Sequence, residues 1–252
     1  MELKAGKLAV KIFKTRAEMG AAAGGDAAAK IKELIAKKGE VNMIFAAAPS
    51  QNETLETLVS SEGIDWSKVN AFHMDEYIGL SPDAPQGFGN FLKDRIFSKL
   101  PFKSVNYIYA ENETAEETCA RYTKLIKENP IDIVCLGIGE NGHIAFNDPW
   151  VADFNDSEVI KKVELDEVCR QQQVNDGCFA KLDDVPKFAL TLTVPTLYNA
   201  DYLFCTVPAP TKADAVYKTV NNDINEDLPA TIMRNHDNAV MYCDSDSGAK
   251  LL

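Results

Sequence analysis

The stretch Ile131–Pro149, IDIVCLGIGENGHIAFNDP, decides the fold. Its opening part, Ile131–Ile138, is a continuous apolar run of the kind found in a central parallel strand covered on both faces. A glycine-rich loop follows, Gly137-Ile-Gly139-Glu-Asn-Gly142. The literal G-x-G-x-x-G is by itself a weak dinucleotide signal, because that motif should open a long helix in a first βαβ unit. Here Asn147-Asp148-Pro149 breaks the chain soon afterwards, and the motif lies past the middle of the chain. The glycines are better read as letting backbone pack close to a small ligand.

Outward from this stretch, short apolar runs alternate with longer amphipathic ones. Leu8–Phe13, Val41–Ala48, Val69–Met74, Val105–Ala110, Phe188–Thr193, Tyr202–Val207 and Ala239–Cys243 read as further strands. Helices are expected over Thr15–Lys38, Glu53–Ser61, Asn90–Leu100, Thr114–Glu128, Val194–Asn199 and Thr211–Val220. Thr15, with Glu18 three residues on, forms a capping-box pattern for the first of them. Asp75–Phe88, punctuated by glycine and proline, reads as loop. Residues 150–184 are polar, lack a clean period and read as an excursion or lid. The alternation predicts one α/β domain over residues 1–252: a mostly parallel, twisted sheet of about seven strands with helices on both faces, a modified Rossmann-like fold. In such sheets the ligand sits beyond the carboxyl ends of the strands.

The totals narrow the function. The chain has 252 residues, 46% hydrophobic and 25% charged, with a formal net charge of −12. That balance argues against nucleic acid and against an anionic membrane surface. A single phosphate needs only a local cradle of N–H groups and one or two cations. No run is long and apolar enough for a membrane span. The N-terminus lacks the apolar core of a signal peptide, so a cytoplasmic location is expected. The six cysteines form no C-x-x-C pair and read as free thiols.

Four strand-end loops carry unusual chemistry. In Ala48-Pro-Ser-Gln-Asn-Glu53, Ser50, Gln51 and Asn52 offer donors to an anion at a helix start, or simply cap that helix. In His73-Met-Asp-Glu-Tyr77, strand geometry would send Asp75 and Glu76 to opposite sides, one into a site and one anchoring the loop. A carboxylate at a dry strand end suits a general base. His73 and Asp75 resemble a metal pair, but no further ligands lie nearby, and no metal is expected. His143, with Asn141 and Asp148 close by, suits proton transfer near neutral pH. Lys212 stands at a helix start, against the dipole, where a bound anion would offset its position.

Read together, MDEYIGL at Met74–Leu80, GIGENGHIAFNDP at Gly137–Pro149 and VPKFALTLTVPTL at Val185–Leu197 resemble the glucosamine-6-phosphate deaminase (isomerase) family. The likeness runs from about Leu8 to Cys243. The related 6-phosphogluconolactonases share the fold but look like GHTASLFP where this chain has GHIAFNDP. The resemblance implies a fold without nucleotide, cofactor or metal. It also implies conversion of an aldose 2-amino-2-deoxy 6-phosphate, glucosamine 6-phosphate or a relative such as galactosamine 6-phosphate, to a ketose 6-phosphate plus ammonia. By that likeness His143 assists ring opening, with Asn141 and Asp148 beside it. Asp75 moves the proton from C2 to C1. Ser50, Gln51, Asn52, Glu76, Gly139 and Lys212 bind the substrate.

The chain departs from the family's pattern at several points. Asn141 replaces an aspartate, Asp148 replaces a glutamate, and APSQNE replaces a TGGTP-like phosphate loop. The family's lid arginine has no obvious counterpart, and Arg170 is the nearest substitute. The other readings are a lactonase-like hydrolase and a non-catalytic sugar-phosphate sensor. MDEY speaks against the first and Asn141 sustains the second. A homo-oligomer is compatible with the resemblance, and no feature marks an allosteric site.

Overall fold

The computed structural model describes residues 1–252. Strands β1 (Glu2–Ala5) and β2 (Leu8–Ile12) form an antiparallel hairpin. Helix α1 (Arg16–Lys38) begins at the expected cap: Thr15 accepts from the Glu18 N–H, and Glu18 reaches back to the Thr15 N–H. It ends where Gly39 adopts φ 88°, a left-handed conformation that glycine takes at little cost. Then follow β3 (Val41–Phe45), α2 (Asn52–Ser60), β4 (Val69–His73), β5 (Asp75–Tyr77), α3 (Phe88–Leu92), β6 (Ser104–Asn106), α4 (Ala115–Glu128) and β7 (Ile133–Leu136). The second half holds β8 (Ile160–Glu164), α5 (Glu167–Asn175), β9 (Phe188–Leu192), α6 (Val194–Tyr198), β10 (Tyr202–Val207), α7 (Ala213–Asn221) and β11 (Ala239–Cys243).

The main sheet has eight strands in the order β1-β2-β11-β10-β7-β3-β4-β6, parallel throughout except at the β1 edge. The expected α/β class is therefore the observed one. β7, the strand of the opening stretch, is buried along its whole length. Ile133 and Cys135 face the layer built from α1 and α2, whereas Val134 and Leu136 face the layer holding Tyr122 and Ile126 of α4 and Val216 and Val220 of α7. Burial on both faces is why this run shows no polar alternation.

The α1–α2 layer is unusually tight. A Cβ added at Gly20 would fall 2.2 Å from the Glu53 Cβ, and one at Gly24 2.5 Å from the Thr57 Cβ. Only glycine lets the two helix backbones come this close.

Several expectations are corrected. Residues 75–77 are strand rather than loop. β5 pairs with β9, and β9 pairs with β8, in a separate antiparallel sheet of three strands. The run at Phe188–Leu192 is thus a strand, as read, but outside the main sheet. The polar excursion 150–184 contains β8 and α5, which carry few apolar residues because their outer faces are exposed. The helix read over Asn90–Leu100 begins earlier and continues from Leu92 as a wider π-type turn over Lys93–Phe97. All six cysteines are free thiols. No helix is long and apolar enough to cross a membrane.

The strand order changes direction between β3 and β7: the chain runs outward through β4 and β6, then returns to β7 and runs the other way. The crevice at such a switch point is where this kind of sheet takes its ligand.

Candidate active site

A cleft with a cavity volume of ≈ 130 Å³ opens at this switch point, lined by the loops after β3, β7 and β10 and by the start of β5. Asp75, His143, Gly139, Ser50, Gln51 and Lys212 all reach it.

Asp75 begins β5 and is buried, with its carboxyl at the cleft. Burial, and then the charge of Glu76, holds that carboxyl well above the usual carboxylate range. Its backbone is fixed by His73. The His73 Nε2 accepts the Ile108 N–H at 2.9 Å, so Nδ1 carries the proton and donates to the Asp75 carbonyl at 3.0 Å. Burial pushes His73 down to about 4, so it is a neutral structural imidazole. Both ring nitrogens are taken, which disposes of a His73–Asp75 metal pair.

Glu76 points the other way, as strand geometry requires. Its carboxylate accepts the N–H groups of Tyr77 (2.9 Å), Phe88 (2.9 Å) and Gly89 (2.8 Å). It anchors the loop and the start of α3, and it is not a lining residue of the cleft; substrate contact by Glu76 is corrected accordingly. Behind Asp75, the Tyr77 ring packs on Phe88, Phe146 and Phe179 at centroid distances of 4.7–5.5 Å, an apolar floor that keeps the strand end dry.

His143 sits in the loop after β7. Its Nδ1 lies 3.0 Å from Asp148 Oδ1 but off the line of a well-formed hydrogen bond. Asn141 donates from Nδ2 to the same oxygen at 2.8 Å, and its Oδ1 accepts the His143 backbone N–H at 3.0 Å. Asn141 thus steers the carboxylate and the loop, and makes no hydrogen bond to the imidazole ring. Asp148 is fully buried. Burial pushes its carboxyl up, but the close approach and charge of His143, with help from Asn141 and Cys169, outweigh it and hold it below the usual range.

Gly139 makes room for the ring: a Cβ there would fall 2.1 Å from the His143 Cε1. This glycine is spaced for the imidazole first and for a ligand only beside it. His143, Asp148 and Cys169 bring donor atoms within 4.8 Å of one another, close enough in principle for a metal ion. Two of those donors already pair with each other.

The far end of the cleft is cationic. Lys212 is 6% exposed at the N-cap of α7; burial pushes it below its ordinary value, with Asp176 and Glu140 opposing. Ser50 lines the cleft beside it. Gln51 is less a ligand donor than a tie. Its Nε2 donates to the carbonyls of Leu136 (3.2 Å) and Thr206 (3.3 Å), drawing the ends of β7 and β10 together. Asn52 is turned away, its Oδ1 accepting from Arg95 at 3.3 Å. Neither residue caps α2 through its side chain.

Arg170 lies outside the cleft, donating to the carbonyls of Leu182 and Val185, so it does not replace the missing lid arginine. From α5, the lining residues are Gln172 and Gln173, with Asp176 just past its end. Gln172 accepts the Glu140 N–H at 3.0 Å, holding the helix onto the His143 loop. Arg16, at the start of α1, also lines the cleft. The sequence reading does not single out these four: Gln172, Gln173 and Asp176 lie in the polar excursion, and Arg16 opens a helix that its own capping box already explains. The unfavourable place of Arg16 in the first helical turn was the one available signal.

Fold and cleft define a Rossmann-like α/β protein with a buried carboxyl, a His–Asp pair and a cationic end at its switch point. The chain belongs to the family described as glucosamine-6-phosphate isomerases/6-phosphogluconolactonase, which matches residues 14–242. It is 33% identical over 229 residues to a glucosamine-6-phosphate deaminase of Listeria innocua, covering 91% of this chain and 96% of the relative. A deaminase of the same name from an Exiguobacterium strain is 34% identical over 220 residues, covering 87% and 84%. Among solved structures, a monomeric glucosamine-6-phosphate deaminase superposes with a TM-score of 0.85 at 28% identity, covering 95% of this chain and 98% of the other. A Trypanosoma brucei 6-phosphogluconolactonase, at TM-score 0.77 and 16% identity with 96% and 98% coverage, shares the fold.

Proposed function

We propose that the chain isomerises and deaminates an amino-sugar 6-phosphate, glucosamine 6-phosphate or a close relative, to a ketose 6-phosphate and ammonia. The observation that carries this reading is Asp75: a buried carboxyl, unpaired, facing the same cleft as the His143–Asp148 pair. Lactone hydrolysis has no use for a base poised at C2, whereas isomerisation requires one.

In this reading Lys212 and the Ser50 loop hold the phosphate, and remote binding sets C1 and C2 against Asp75. His143, oriented by Asp148, moves the proton that opens the ring. Asp75 as carboxylate takes the C2 proton, leaving a C1–C2 enolamine, and returns it to C1. Water adds to the resulting C2 iminium, and the carbinolamine expels ammonia as the C2 ketone forms. Asn141 serves Asp148 rather than the imidazole, so its presence no longer favours a binding-only sensor. Residues 150–184, with α5 over the cleft, act as a lid on the single domain. The net charge of −12 supports a small-molecule ligand in place of nucleic acid.

The test is ammonia release from glucosamine 6-phosphate and galactosamine 6-phosphate by purified protein. Release from either supports the reading. Release from neither, with tight binding of a sugar phosphate in calorimetry, overturns it in favour of a sensor.

A further inference from the structure

We infer that Arg16 is a second phosphate anchor, in the place of the lid arginine that this chain lacks; the inference rests on the amino-sugar 6-phosphate reading.

Two cations line the cleft, Lys212 and Arg16. Each stands at the N-terminal end of a helix, Lys212 capping α7 and Arg16 opening α1. Both therefore work against the positive end of a helix dipole. Two such misplacements converging on one cavity are offset together by a bound dianion. Arg16 also has capacity to spare. Its Nε donates to Glu53 Oε1 at 2.6 Å and its Nη2 to the Pro49 carbonyl, while Nη1 has no partner. The guanidinium is thereby aimed along the Ser50 loop, with 37% of the side chain open. A fixed, planar fork of this kind suits a phosphate.

The reach of Arg16 depends on the glycines of α1. Gly20 stacks on Glu53 and Gly24 on Thr57 at distances that exclude any side chain, and this brings the first turn of α1 against the loop before α2. The segment 150–184 contributes no cation to the cleft: Arg170 is spent on carbonyls, and α5 offers Gln172 and Gln173. Phosphate is then held by Arg16 and Lys212 from the starts of α1 and α7, outside the segment 150–184.

Ammonia release from glucosamine 6-phosphate, and its competitive inhibition by inorganic phosphate, test this in wild type, Arg16→Met and Glu53→Gln. Arg16→Met is expected to raise KM about tenfold to hundredfold, as for a lost charge-assisted hydrogen bond. Its kcat should stay within about threefold, and phosphate inhibition should weaken in parallel. Glu53→Gln keeps an acceptor for Nε while returning charge to the guanidinium, so KM should hold or fall. Wild-type KM and phosphate inhibition in Arg16→Met overturn the inference. So does a Glu53→Gln enzyme weakened as much as Arg16→Met, because Arg16 would then only brace the loop. Where methionine at 16 prevents folding, Arg16→Lys carries the test. It keeps the charge and loses the fork, and an unchanged phosphate inhibition constant overturns the claim. If the wild type releases ammonia from no amino-sugar phosphate, the functional reading fails separately. Calorimetry with inorganic phosphate then decides Arg16: weaker binding in Arg16→Met sustains it, and equal binding overturns it.

Discussion

Asn141 and His143 meet on one oxygen: Asn141 Nδ2 donates at 2.8 Å to the Asp148 Oδ1 that lies 3.0 Å from His143 Nδ1. Asn141→Asp would replace that donor with a second carboxylate against a fully buried one. Asp148 now sits below the usual carboxylate range, partly through Asn141. Its depressed value contributes stability that is present above the unfolded value and lost as pH falls through the folded one. The substitution raises Asp148, so the acid limb of the pH–rate profile should move to higher pH. A limb that stays in place would show that Asn141 does not tune Asp148.

Asp75→Asn should cut turnover by about a thousandfold or more, in the range of lost general-base catalysis, while inorganic phosphate binding is retained. It should also make the protein more stable. The Asp75 carboxyl is raised by burial and by Glu76, so its ionisation opposes folding once pH exceeds the unfolded value of about 3.9. Removing it should lift Tm at pH 7 by about 2–4 °C per kcal/mol recovered. Thermal melts at pH 7 check the sign, and a lower Tm would contradict it.

His73 offers a pH test of the scaffold. Its ordinary value of 6.5 is pushed down to about 4 by burial. The unfolded chain therefore binds this proton first, and stability falls as pH drops from about 6.5 toward 4. The whole effect is about 3 kcal/mol. His73→Gln should flatten the Tm-versus-pH slope in that window. It should also lower kcat through Asp75, whose carbonyl the ring holds. An unchanged slope would mean that another group controls it.

Neighbouring glycines of α1 should respond with opposite signs. Gly24→Ala forces a Cβ to within 2.5 Å of the Thr57 Cβ, and overpacking of this kind costs about 1–3 kcal/mol. At exposed Gly25 nothing lies within 4 Å, and alanine should gain about 0.5–1 kcal/mol from helix propensity. Urea midpoints of the two variants separate packing from propensity. Equal shifts would contradict the close α1–α2 contact.

Sequence reading served best where one segment carries its own signal. The Thr15–Glu18 capping box, the apolar run into β7 and the loop with His143 are local patterns, and the structure keeps them. β5 escaped because Asp75–Tyr77 has no strand character of its own and pairs with a segment at Phe188–Leu192 that is remote in the chain. α5 escaped because a helix lying over a polar cleft carries Gln172 and Gln173 where a core helix would carry leucine. Glu76 and Asn52 are assigned to the substrate by the family resemblance and by their place in strand-end loops. Their partners, the N–H groups of Phe88 and Gly89 and the side chain of Arg95, come from elements whose approach only the folded chain sets.

β9 lies between β5 and β8, paired in register with both: Thr191 faces Asp75 on one side and Lys161 on the other. Asp75 and the strand that leads into α5 are therefore rungs of one ladder. A shear at β8 is transmitted to Asp75 through two rows of backbone bonds, without passing through the ligand. If α5 moves as a lid, a hinge after Glu164 leaves this ladder, and Asp75 with it, in place.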